Sequence, residues 1–232
     1  MIEFITTMNW AAVVQIIIID ILLGGDNAVV IALACRNLPR HQRTKGILWG
    51  TLGAIILRVI LIAFAVTLLQ VPFLKLVGGG LLLWIGVKLL LPEGNDGHGN
   101  LEGGTSLFSA VKTVIVADLV MSIDNVIAIA GAAQQADADH QLGLVIFGLL
   151  VSIPIIVWGS QIVLKMIDRF PLVVTIGAAL LGWIAGGMMV SDVAITSRIG
   201  EIPALWTYTC SGLGAVLVVG LGEMIKRRKS RH

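Results

Sequence analysis

Charge is scarce in this chain, and so are the residues that staple small secreted domains. Charged side chains are 13% of 232 residues, about half the share of an average soluble domain. The two cysteines, Cys35 and Cys210, are too few for a disulfide scaffold. Met1–Trp10 contains Glu3 and no Lys or Arg. It lacks the basic start of a cleaved signal peptide, so the first apolar stretch is expected to persist as a helix. These shortages exclude a disordered chain, a secreted disulfide module and an ordinary cytosolic enzyme. What remains is apolar: 57% hydrophobic residues together with 27 glycines. At ~20 residues per helical span, the chain holds about seven spans and no sizeable soluble domain. The reading is an all-α integral membrane protein, a single transmembrane domain over residues 1–232.

Seven segments read as spans: roughly 9–35, 46–70, 73–91, 107–133, 142–165, 171–190 and 206–225. Polar or turn-forming stretches separate them, namely Arg36–Lys45, Val71-Pro72, Pro92–Ser106, Ala136–Gln141, Asp168–Pro171 and Ser191–Pro203. Cytoplasmic loops carry an excess of Lys and Arg. Placing the first loop in the cytoplasm puts 13 cationic residues inside and two, Lys75 and Arg198, outside. The N-terminus is then expected outside and the C-terminus inside. The two cysteines fall near opposite faces of the bilayer, too far apart to pair.

The chain repeats itself. Asp20-x5-Asp26-Asn27-Ala-Val-Val-Ile-Ala recurs as Asp118-x5-Asp124-Asn125-Val-Ile-Ala-Ile-Ala, an offset of 98. Trp49-Gly50 answers Phe147-Gly148 at the same offset, and Gly78…Trp84 answers Gly177…Trp183 at 99. Repeat one covers about 9–91, repeat two about 107–190, and a seventh helix follows at about 206–225. Three spans per repeat is an odd number, so the second copy enters the membrane upside down. Inverted repeats of this kind place a substrate site near the midplane where the halves meet.

Asp20, Asp26, Asp118 and Asp124 all fall inside spans. Each costs ~2.5–3.5 kcal/mol at the bilayer centre if it faces lipid, so they are expected to face an interior. The single intramembrane cation, Arg58, is read as their counter-ion and cannot neutralise four. Positions seven apart share a helix face, which aligns Asp20 with Asn27 and Asp118 with Asn125. Gly24-Gly25 precedes Asp26 and is expected to loosen the first span, freeing backbone carbonyls; Met121-Ser122 occupies the corresponding place in the second copy. Oxygen-rich sites without Cys suit Mg²⁺, Ca²⁺ or Mn²⁺ rather than Zn²⁺ or Cu⁺. Met121 and Ser122 are further ligand candidates, a soft Met sulfur tilting the choice towards Mn²⁺. Four acidic groups against one Arg in a poorly hydrated core also point to exchange of protons for metal.

Gly24-Gly-Asp-Asn-Ala-Val-Val-Ile-Ala32 and Ser122-Ile-Asp-Asn-Val-Ile-Ala-Ile-Ala-Gly131 resemble the paired motifs of the TerC family, integral membrane proteins within the superfamily that includes lysine exporters. The resemblance covers essentially the whole chain, and the short form is similar to the bacterial branch. It implies manganese export across the bacterial cytoplasmic membrane, with metal-site roles on Asp20, Asp26, Asn27, Asp118, Asp124 and Asn125. The second copy lacks the Gly-Gly of the first.

Other polar clusters read as loops: Glu93, Asp96, His98 and Glu102 as a solvated linker, and Gln134, Gln135, Asp137, Asp139 and His140 as a polar rim. The tail Lys226–Arg231 reads as a topology anchor against anionic lipid. The expected partners are a divalent metal ion as substrate and the lipid bilayer, with no nucleic acid and no resident cofactor. The alternatives are an exporter of amino acids or other small cations on the same scaffold and, from a different class, an intramembrane aspartyl protease. The protease reading is weakened by Leu23, which breaks the Gly-x-Gly-Asp signature of such enzymes. No nucleotide-binding motif is visible, which disfavours an ATP-driven pump.

Overall fold

The computed structural model describes residues 10–64, 71–91, 106–133, 141–200 and 202–229. It is all-helical. Eight helices follow in order: α1 Trp10–Cys35, α2 Arg40–Ala63, α3 Leu74–Leu90, α4 Leu107–Ala133, α5 Gln141–Arg169, α6 Leu172–Val190, α7 Val193–Ile199 and α8 Ala204–Lys229. Among the described residues, four stretches are long and apolar enough to cross a membrane: Arg40–Ala63, Val145–Arg169, Leu172–Val190 and Ala204–Arg228. Large apolar side chains such as Trp84, Trp158, Leu213 and Val216 are exposed on the outer surface, as a protein dissolved in lipid requires.

Three helices reach beyond the expected spans. α2 begins at Arg40 and not near 46, α5 runs on to Arg169, and α8 continues to Lys229. Hydropathy marks the part of a helix that meets lipid, whereas backbone hydrogen bonding continues through the polar turns at its ends. The stretch Ser191–Pro203, read as a loop, contains α7. Its start is capped by Asp192, whose side chain accepts from the Ala194 N–H at 2.7 Å, and it ends at Gly200 with φ 83. The expected loosening at Gly24-Gly25 is corrected: α1 runs unbroken through it, as α4 does through Met121-Ser122. No carbonyl is released there; two glycines lower helix propensity by only ~1 kcal/mol each, and Ala28 and Val30–Cys35 just beyond them are buried.

Helix α1 packs on α5 and α2 packs on α4, while α1 also meets α4 and α3 meets α6. Exchanging α1 with α4, α2 with α5 and α3 with α6 maps the first of these pairings onto the second. Both pairings are parallel. Asp20 and Ala28 of α1 meet Ser152 and Gly159 of α5 in the same order. Gly50 and Arg58 of α2 likewise meet Val114 and Asp118 of α4. Helix α8 covers α6 and α3. Its backbone lies against α6 so closely that a Cβ on Gly186 would strike the Cys210 carbonyl, and one on Gly182 would strike Gly214. Small residues permit this approach where apolar burial gives no drive between helices in lipid.

At one end, Arg43 ties the α1–α2 connection to α5. It donates to Asp168 at 2.7 Å and to the carbonyls of Arg36 and Leu38 at 2.6 and 3.1 Å. At the other end, Asp192 does similar work. Its carboxylate, 0% exposed, accepts from the N–H groups of Phe73, Lys75 and Leu76 at 2.9, 2.9 and 3.1 Å as well as from Ala194. Four donors left open at the starts of α3 and α7 are thereby satisfied by one side chain. Burial opposes the Asp192 charge, but these N–H bonds outweigh it and hold the carboxyl below the ordinary carboxylate value. Cys35 is buried, Cys210 half-buried, and both are free.

Candidate functional site

Four helices converge on Arg58, which α2 presents to the interior at 2% exposure. Nη1 donates to Oδ1 of Asp20 on α1. Nη2 donates to Oδ1 of Asp118 on α4 at 2.5 Å, and Nε donates to Ser122 Oγ at 3.1 Å. Ser122 lies one turn beyond Asp118 and its hydroxyl donates a hydrogen bond to Asp118 Oδ2 at 3.0 Å. Ser152 of α5 donates to the second oxygen of Asp20. Both oxygens of both carboxylates are therefore engaged, and each guanidinium nitrogen has a partner. Charge-assisted bonds of this kind are about twice as strong as neutral ones. A buried ion pair of this sort costs ~3–5 kcal/mol to break by removing one partner.

Arg58 thus holds the first aspartate of each motif copy. It has no repeat counterpart. The residue 98 positions on is Ile156, which sits in an apolar cluster with Ile31, Leu33 and Val114.

The rest of each motif is placed differently. Asp26 is half-buried. It accepts the Asn27 N–H at 2.9 Å and makes no ion pair among the described residues. Asn27 is 4% exposed, yet neither its Nδ2 nor its Oδ1 has a hydrogen-bond partner among the described residues. Asn125 is half-buried on α4. Asp124 lies on the same helix, and its side chain is outside the described residues. Met121 packs among Val30, Leu82, Leu181 and Met188 in an apolar cluster, while its neighbour Ser122 joins the Arg58 network. No group of three or more His, Cys, Asp or Glu is gathered among the described residues. The acidic loop residues Glu93, Asp96, His98 and Glu102, and Gln134, Gln135, Asp137, Asp139 and His140, lie outside the described residues.

A family model described as "Integral membrane protein TerC family" matches residues 5–230. The chain belongs to the TerC family. It is 44% identical over 174 residues to the uncharacterized membrane protein YjbE of Bacillus subtilis (strain 168), covering 75% of this chain and 77% of YjbE. It is 24% identical over 186 residues to the uncharacterized membrane protein YceF of the same organism, covering 77% of this chain and 70% of YceF. To the UPF0053 inner membrane protein YoaE of Escherichia coli (strain K12) it is 25% identical over 244 residues, covering 96% of this chain and 44% of YoaE. The chain therefore spans less than half the length of that relative. No solved structure matches.

Three polar positions of this TerC chain escaped the sequence reading. Ser152 completes the Asp20 carboxylate; as a hydroxyl in the middle of an apolar span, two residues before Pro154, it carried a signal. Thr51 is 1% exposed, and its hydroxyl has no partner among the described residues; seven residues before Arg58, it shares that residue's helix face. Asp192 was read as part of a loop, although Asp before Val-Ala-Ile-Thr is a helix-start pattern.

Proposed function

We propose that this chain is a secondary transporter that exports divalent metal ions, Mn²⁺ first among them, from the cytoplasm through the two Asp-Asn helices. The observation that carries the reading is the one-sided charge of the site. The only buried arginine among the described residues is fully occupied by Asp20 and Asp118. Asp26 is half-buried and makes no ion pair among the described residues, beside an Asn27 whose polar atoms lack partners there. Asp124 and Asn125 are the same pair in the second motif copy. A site of carboxylate and carboxamide oxygens takes a hard or borderline divalent cation. Asp20, Asp26, Asn27, Asp118, Asp124 and Asn125 make up its acidic and amide groups, with Arg58 as counter-ion.

The chain then folds as two inverted three-helix repeats with α8 as the seventh span and α7 as a short external helix. The exchange symmetry of the helix pairings and the parallel run of α1 with α5 and α2 with α4 support this. Alternating access follows from rocking of one repeat against the other around a fixed site. The charge bias of the loops supports an external N-terminus and a cytoplasmic C-terminus in the inner membrane. An amino-acid substrate fits less well, because its carboxylate would need a cationic partner and Arg58 is already engaged. A protease dyad fits less well again, because Asp20 and Asp118 are held apart by a guanidinium.

Uptake of radioactive Mn²⁺ into inverted vesicles, compared ion by ion with Mg²⁺, Ca²⁺ and Zn²⁺, tests the reading. Mn²⁺ uptake above that of vesicles lacking the protein is expected; uptake of none of the four ions would refute it. Proton antiport is the proposed coupling, because ligating carboxylates must be deprotonated. Metal affinity is expected to rise between about pH 6 and 8, and a flat profile would remove the antiport proposal.

A further inference from the structure

At the end of the bundle where α1 joins α2, a recess of about 220 Å³ opens between the first turns of α2 and the last turns of α5. Arg40, Arg43 and Thr44 line it from α2, and Gln161, Lys165 and Asp168 line it from α5. Ile47 and Leu164, both buried, close its floor. It is smaller than the ~300–1,000 Å³ of a small-molecule pocket, so it suits one polar group rather than a whole ligand.

Its charge is one-sided. Three cations face one carboxylate, and that carboxylate is already taken, because Arg43 donates to Asp168 at 2.7 Å. The rest of the Arg43 fork is spent on the carbonyls of Arg36 and Leu38. Arg40 and Lys165 are exposed and make no ion pair among the described residues. Two cations from different helices thus border one recess with no carboxylate left to answer them. An anion placed there offsets their mutual repulsion. Arg presents a planar fork that matches phosphate oxygens, and Lys adds a point charge. The Thr44 hydroxyl and the Gln161 amide supply neutral donors beside them.

The wall next to the recess indicates which anion. Residues three and four apart are neighbours on a helix surface. Leu48 follows Thr44 by four and is 49% exposed; Trp158 precedes Gln161 by three and is 67% exposed. The polar recess therefore continues, one turn further along each helix, into exposed apolar surface of two stretches long enough to span a membrane. That sequence of chemistry is the sequence along a phospholipid, phosphate first and acyl chain after it. Basic pockets between spanning helices hold anionic headgroups in this way. We infer that the α2–α5 recess binds the phosphodiester of an anionic phospholipid, with Arg40 and Lys165 as its cationic ligands and the Arg43–Asp168 pair as a fixed wall. The bound lipid joins a helix of the first motif copy to its counterpart in the second. The site stands apart from the transport reading, and neither depends on the other.

Native mass spectrometry of the purified full chain, titrated with phosphatidylglycerol or phosphatidylcholine, counts bound lipid, and thermal unfolding in the same detergent gives a second readout. Phosphatidylglycerol is expected to bind and to raise the unfolding midpoint, and phosphatidylcholine to do neither. Arg40→Gln and Lys165→Gln should each weaken phosphatidylglycerol binding about tenfold, the effect of one lost charge-assisted hydrogen bond. Arg228→Gln, which removes an exposed tail cation, should leave binding unchanged, and Lys165→Arg should retain it. Unchanged binding in the Arg40→Gln/Lys165→Gln double variant would overturn the inference, as would an equal loss in Arg228→Gln. Protection by inorganic phosphate equal to that by phosphatidylglycerol would make the site one for free phosphate and overturn the lipid assignment. A double variant less stable than wild type in lipid-free detergent would mean that the two cations are paired within the protein, which overturns it too.

Discussion

The first aspartate of each motif copy and the Asp-Asn pair that follows it make an instructive contrast. Asp20 and Asp118 are clamped by Arg58 and two serines, with every carboxylate oxygen engaged. Six residues after Asp20, Asp26 makes no ion pair among the described residues, and Asn27 beside it has no side-chain partner there. The same residue type, at two levels less than two turns apart on one helix, thus has two fates. One pair is satisfied within the protein and joins α1, α2, α4 and α5. The other keeps its polar capacity open. The closed polarity is self-sufficient; the open polarity is what the proposed transport site draws on.

The strongest way to break this contrast is to remove Arg58. Arg58→Leu leaves two buried carboxylates without a cation and should lower stability by ~3–5 kcal/mol. The yield of folded protein in detergent and the midpoint of chemical unfolding would register it. A smaller effect is expected from Ser152→Ala, which removes one donor from Asp20. A hydrogen bond to a charged group contributes ~1.5–3 kcal/mol, so unfolding should shift by about half as much as for Arg58→Leu.

Asp192 sharpens the contrast from outside the bundle, since it too is a closed anionic site. Asp192→Ala should cost ~1–2 kcal/mol, the range for a lost helix cap. Its pH dependence has a definite sign. The folded carboxyl lies below its ordinary value, so the stabilisation is present above the unfolded value of ~3.9 and is lost as pH falls through the folded one. The stability difference between wild type and Asp192→Asn should be constant above about pH 5 and shrink below about pH 4.

The smallest stability effect belongs to Asp26→Asn. It removes no ion pair seen among the described residues and should stay within ~0.5 kcal/mol of wild type. A loss as large as that of Arg58→Leu would erase the distinction between the two levels.

Much of this was legible in the sequence. The motif offset picked out Asp20, Asp26, Asp118 and Asp124, and Arg58 stood out as a cation inside a span. Hydropathy located the long helices because lipid contact and apolarity are the same property. It missed the polar turns of α2, α5 and α8. It also missed α7, whose seven residues are set by the Asp192 cap rather than by apolarity. Gly24-Gly25 misled in the other direction, since a weak local preference gave way to packing along α1. Which aspartates Arg58 would choose was not readable, because that depends on how α2 crosses α1 and α4. Ser152 and Thr51 were overlooked for a related reason: one hydroxyl is ordinary in a span until its neighbours are known.

The central claim is that the Asp-Asn pairs supply the open ligands of the proposed metal site, while Arg58 holds its Asp20 and Asp118 in place and ties the helices together. Radioactive Mn²⁺ uptake into inverted vesicles, with Asp26→Asn and wild type at matched membrane content, tests this most directly. The account predicts normal insertion and thermal stability for Asp26→Asn with uptake reduced to the background of vesicles lacking the protein. Uptake at the wild-type rate would contradict it.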